Sequence, residues 1–89
     1  MIDKKDAIEC LQALGFDVRE LPNGYHLQLR LEEHPEWFFD WYITTGSLVC
    51  NRKGTYYRAI IIKDAERANE YVRKKIEEIN SEFTPRNGD

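Results

Sequence analysis

The feature that most constrains this chain is alternation. In "YHLQLRL", residues 25–31, Tyr25, Leu27, Leu29 and Leu31 share one side, and His26, Gln28 and Arg30 share the other. A period of two marks a strand with one buried face. The pattern returns in "WFFDWYI", residues 37–43, where Trp37, Phe39, Trp41 and Ile43 oppose Phe38, Asp40 and Tyr42. Five of the first six residues of that run are aromatic, and the sixth is Asp40. Two such strands need a cover for their apolar side. The larger sets, Tyr25 to Leu31 and Trp37 to Ile43, are therefore expected in the core.

The flanking segments supply the cover. Asp3 can cap a helix over residues 4–14, with Ala7, Leu11 and Leu14 on one face and Gly15 at the left-handed C′ position. "FDVREL" starts as a short alternating strand, and "PNG" after it is turn chemistry, which makes a hairpin with residues 25–31. "EEHPE" reads as a loop broken by Pro35. After residues 37–43 come a "TTGS" turn, a short "LVC" strand, an "NRKG" turn and a strand over residues 55–62. Asp64 caps a last helix whose Ala65, Ala68, Val72, Ile76 and Ile79 form a narrow apolar stripe. Its outer faces carry pairs at i,i+4, among them Arg73–Glu77. Phe83 is placed to fold back onto the stripe. The expected fold is α+β: an antiparallel sheet of three to five strands, with N- and C-terminal helices on one face. One domain spans residues 1–83, and the polar residues 84–89 form a flexible tail.

Bulk properties limit what such a domain can do. With 89 residues it is a single small unit. The net charge of −3 argues against nucleic acid as the main partner, because affinity for phosphate comes chiefly from Lys and Arg. No apolar run reaches the roughly 20 residues of a membrane span. The first ten residues lack the apolar stretch of a signal peptide. Cys10 and Cys50 are too few for a disulfide framework. Two free thiols in a reducing cytoplasm are the reading, with a single helix-to-strand disulfide as the alternative.

If both helices cover one face, Phe38, Asp40 and Tyr42 point away from them, beside His26, Gln28 and Arg30. Rings interleaved with polar groups are the composition of a binding patch. The same residues also serve as ordinary cross-strand pairs, such as Arg30 with Asp40. Charge is uneven along the chain. Glu32, Glu33, Glu36 and Asp40 lie in a stretch without Lys or Arg, and Arg52, Lys53 and Arg58 lie with Tyr56 and Tyr57 in one without acids. The acidic end suits a basic partner protein. The basic end suits RNA, with tyrosines for stacking.

Chemical signatures are few. The two histidines and two cysteines match no zinc spacing. No glycine-rich phosphate loop and no G-x-S-x-G elbow occurs, so no cofactor is expected. "LGFDVRE" followed by "NGYHLQLRL", and later "KGTYYRAI", resembles the small HicA-type toxin ribonucleases within the double-stranded-RNA-binding-like α-β-β-β-α domains. That likeness implies His26 as a catalytic residue, with Tyr25 standing where the family carries serine. "FFDWYITTG" with "RKGTYYRAI" is similar to a strand-and-turn motif, FDFYPTTG-like, of small phage and prophage proteins, with Ile43 in place of the proline. That likeness implies a bacterial or phage-infected cytoplasm and a protein that acts on host machinery.

The leading expectation is a non-enzymatic accessory protein. It would bind a partner protein through Phe38, Asp40, Tyr42, His26, Arg30 and Glu33, in the specific version as an inhibitor of nucleic-acid-handling or defence enzymes of a host. The alternative is RNA binding or ribonuclease action through His26 and Arg52, Lys53, Tyr56 and Arg58. A homodimer is the further alternative.

Overall fold

The computed structural model describes residues 2–83, except for the side chains of residues 82 and 83. Two helices, α1 (Lys4–Ala13) and α2 (Ala65–Phe83), bracket six strands: β1 (Phe16–Glu20), β2 (His26–Leu31), β3 (His34–Tyr42), β4 (Ser47–Arg52), β5 (Thr55–Tyr56) and β6 (Ile60–Ile61). The strands form one antiparallel sheet in the order β1-β2-β3-β4-β5, and β6 also pairs with β4. This is the α+β architecture that the alternation predicts. The expected tail 84–89 and the Phe83 side chain lie outside the described residues.

Both helices begin at an aspartate cap. Asp3 Oδ1 accepts from the Asp6 N–H at 3.0 Å, and Asp64 Oδ1 from the Glu66 N–H at 2.9 Å. Such a cap satisfies N–H groups that no helical carbonyl can reach. Both helices then bury their apolar stripes on the same side of the sheet. Ala7 and Leu11 of α1, and Ala65, Ala68, Val72, Ile76 and Ile79 of α2, join Leu27, Leu29, Leu31, Trp37, Phe39, Trp41 and Leu48 in one core. Trp37, Phe39 and Trp41 are fully buried, so one half of the aromatic run is core.

Arg73 ties the layers together, and not through the helix pair the sequence offers. Its guanidinium donates to the Leu14 carbonyl at 2.8 Å and to Asn69 at 2.7 Å. It also approaches Glu33 at 3.5 Å and covers the Phe16 ring at 5.5 Å. The expected Glu77 partner is displaced by these. A planar cation with several donors can serve a helix C-terminus and a carboxylate together.

Three strand boundaries differ from those expected. Tyr25 is not core: it is 45% exposed, because the turn holds it. The Tyr25 and His26 N–H groups both donate to Asn23 Oδ1, and β2 begins only at His26. The "EEHPE" loop is a tight turn of Glu32 and Glu33, and His34, Pro35 and Glu36 already belong to β3. Proline is tolerated there because the β2–β3 register slips between Leu29 and Leu31, and the β4 ladder starts only at Trp37. The strand over residues 55–62 is broken into β5 and β6. Asn51 pairs with Tyr56, but Ser47 pairs with Ile61, so the register moves by one residue between them. That slip lets Tyr57, Ile60 and Ile62 all reach the helix side, and leaves Tyr56 and Ile61 as exposed apolar side chains.

Gly46 explains the "TTG" turn. It sits at φ +82°, and a Cβ there would lie 2.8 Å from the Ile62 carbonyl oxygen. That oxygen accepts from the Trp41 indole N–H at 2.9 Å, and the Ile62 N–H donates to the Gly46 carbonyl at 2.7 Å. Only a residue without a side chain lets the β6 end close over Trp41 in this way.

Candidate functional site

The candidate site is the sheet face without helices. Alternation along β2 and β3 and their register decide its membership: His26 opposes Tyr42, and Gln28 opposes Asp40. β4 extends the face, with Ser47 opposite Tyr42, Val49 opposite Asp40 and Asn51 opposite Phe38. β1 adds Asp17 beside Arg30 and Arg19 beside Gln28.

At its centre is His26, in contact with both Asp40 and Tyr42. His26 Nε2 lies 2.8 Å from Asp40 Oδ1. A carboxylate only accepts, so Nε2–H is the donor and Nδ1 is the second ring nitrogen. The His26 ring stacks on Tyr42 with centroids 4.2 Å apart and planes inclined by 29°. The His26 and Asp40 side chains are only 13% and 18% exposed. Arg30 does not pair with Asp40 as the sequence invites. Its guanidinium lies 4.8 Å over the Phe38 ring, and the Asp40 oxygen goes to His26. A cation over a ring and a bonded imidazole–carboxylate pair are both held by cross-strand geometry, so the side chains of this face hold one another in place.

Five of the six expected face residues therefore come together: Phe38, Asp40, Tyr42, His26 and Arg30. Glu33 does not join them, because it turns to Arg73 of α2. The basic set does not converge. Arg52 pairs in register with Trp37 and so shares the helix-covered side, whereas Tyr56 pairs with Asn51 on the open side. Lys53 sits in the β4–β5 turn at φ 51°, and Arg58 is exposed between β5 and β6.

Some of the surface was not anticipated. Val49 and Asn51 complete the open face, but "LVC" is too short a run to reveal which side each residue takes. A cleft of about 600 Å³ lies between β6 and α2, lined by Ile61, Lys63, Arg67, Glu70, Tyr71 and Lys74. Arg67, Glu70 and Lys74 recur at helical spacing along α2, and that was the signal for it.

Both cysteines are free thiols. Cys50 pairs with Phe39 and is buried on the helix side, opposite to His26, so no thiol–imidazole pair forms. Burial pushes the Cys50 thiol up to about 12, against a smaller opposing pull from the Lys75 ammonium. Burial likewise raises the Tyr71 hydroxyl, with smaller pushes from Cys50 and Glu78. Among the described residues no three His, Cys, Asp or Glu side chains gather as metal ligands. No described helix is long and apolar enough to cross a membrane.

Compared with known protein families, curated proteins and solved structures, the chain finds no match in any of the three.

Proposed function

We propose that this chain is a non-enzymatic binding protein whose open sheet face takes a partner protein. One observation carries the reading. Phe38, Tyr42 and Val49 lie half-buried on a face that no described helix covers, where His26 is held by Asp40 and Tyr42 and Arg30 lies over the Phe38 ring. Pre-ordered rings with a polar frame lose little entropy on association and can act as anchors. In its finer form, the partner is an enzyme or defence complex that handles nucleic acid, and the chain inhibits it, as the likeness to small phage proteins implies. The acidic Glu32, Glu36 and Asp40 favour a basic partner surface.

The test is retention of a partner from RNase-treated bacterial lysate by the wild-type chain and by Phe38→Ala/Tyr42→Ala. A protein retained by the first and lost by the second supports the reading. Equal retention by both defeats it.

A second reading has its own observation. The Asp40–His26 bond orients an imidazole on an accessible sheet face, which is how a general acid or base is held. Ribonuclease action would follow the HicA-like resemblance, with Arg19 and Arg30 as bases on that face. RNA cleavage abolished by His26→Ala would favour it. Absence of RNA binding at low salt would end it.

A further inference from the structure

Among the described residues, β1 is a terminal strand of the sheet and pairs only with β2. The Leu21 N–H donates to the His26 carbonyl at 3.0 Å, which makes these two a hydrogen-bonded pair. Antiparallel ladders alternate such pairs with non-hydrogen-bonded ones. Arg19 and Asp17 therefore aim their backbone groups at β2, while Phe16, Val18 and Glu20 aim theirs outward. No turn or loop among the described residues bonds to those outward groups. A regular edge of this kind is a template for another strand.

The sequence of the edge itself specifies which strand fits. In "FDVRE", Asp17 and Arg19 set opposite charges on either side of Val18. Set antiparallel to its own copy and centred there, Val18 meets Val18, and Phe16 meets Glu20 at the hydrogen-bonded positions. Asp17 then meets Arg19, twice by symmetry, at the non-hydrogen-bonded positions where Cα atoms approach to about 4.5 Å. The outward backbone groups are in phase for this register. Moving by one step in either direction that keeps the phase sets Asp17 against Asp17 or Arg19 against Arg19. Like charges directly opposite destabilise a strand pair, so charge selects the centred register alone.

We propose that the outer edge of β1 pairs with the same edge of a second copy of this chain, antiparallel and centred on Val18. The two sheets become one, in a closed two-fold dimer. Both open faces then lie on the same side, next to each other, and both helix layers on the other. This dimer does not depend on what the open face binds.

The test is sedimentation of the full chain from micromolar to millimolar concentration, with circular dichroism of every variant as the fold control. The wild type should dimerise reversibly. Val18→Pro removes only an outward N–H and leaves the β1–β2 ladder intact, so it should be a folded monomer. Asp17→Arg alone and Arg19→Asp alone place like charges opposite each other, and each should weaken the dimer roughly ten- to thirty-fold. An equimolar mixture of these two variants should recover the lost affinity as a heterodimer, as should the double variant Asp17→Arg/Arg19→Asp. Should Val18→Pro fail to fold, the charge exchange decides alone. A chain that stays monomeric throughout overturns the proposal. So does a dimer that ignores these changes and responds instead to Phe38→Ala/Tyr42→Ala, or a mixture no tighter than either variant by itself.

Discussion

Single residues carry more of this fold than their exposure implies. Gly46 is one. Alanine there would combine left-handed backbone strain with a Cβ driven against the carbonyl that holds Trp41. We expect Gly46→Ala to cost about 2 kcal/mol or more in chemical denaturation. Asp40 is another. Its oxygen is the partner of a half-buried imidazole, so Asp40→Ala should cost about 1 kcal/mol and loosen the His26–Tyr42 stack. Nuclear magnetic resonance of the His26 ring would report the loosening. Cys50 sets an alkaline limit. Its thiol keeps its proton in the folded chain up to about 12, against an ordinary value of 9.0. Above pH 9 the unfolded chain releases that proton and the folded chain does not. Stability therefore falls as pH rises, by at most about 1.4 kcal/mol per pH unit, until the folded thiol ionises as well. Denaturation between pH 8 and 11 should show this slope, and Cys50→Ala should flatten it. The raised Tyr71 acts in the same direction and leaves a residual slope.

At the scale of elements, the joints between helices and sheet matter most. Arg73 closes the C-terminal end of α1 by donating to Leu14, and it reaches the β2–β3 turn through Glu33. Arg73→Ala should cost about 1–2 kcal/mol, because the Leu14 carbonyl loses a charge-assisted donor. Glu77→Ala, which removes the partner that helical spacing alone would assign, should stay within about 0.5 kcal/mol. Urea denaturation of the two variants side by side checks the contrast. The helices and the long strands were legible in the chain because their periods repeat over enough residues to be counted. The β5–β6 break was not. A one-residue register slip leaves no periodic trace, and it arises because Tyr57, Ile60 and Ile62 must all face the helices. Nor was the placement of Pro35 in β3 legible, since proline reads as a breaker unless the ladder is known to lapse beside it.

At the scale of the whole fold, the described helices leave one sheet face uncovered, and the proposed function lies on it. Phe38→Ala/Tyr42→Ala should leave the helix-side core untouched and the far-ultraviolet circular dichroism unchanged, while abolishing partner binding. The membership of that face was largely readable: alternation alone separates Phe38, Asp40 and Tyr42 from Trp37, Phe39 and Trp41. Its wiring was not. Arg30 and Asp40 are opposite charges on adjacent strands, and their pairing is the natural reading. The register instead sets Asp40 within reach of His26, and Arg30 over Phe38. Glu33 left the set for the same kind of reason, because Arg73 arrives from a helix forty residues away in the chain.

By itself, then, the sequence determined the α+β class, the two apolar stripes, both aspartate caps and the side of the sheet on which each residue of β2 and residues 37–42 of β3 lie. These follow from local periods and local hydrogen bonds, which act between neighbours along the chain. The tertiary structure alone decided which charges meet, where the last strand breaks, why Gly46 has no side chain and which strand lies at the end of the sheet. Those depend on distances between residues far apart in the chain, and only the packing of the helices against the sheet sets them.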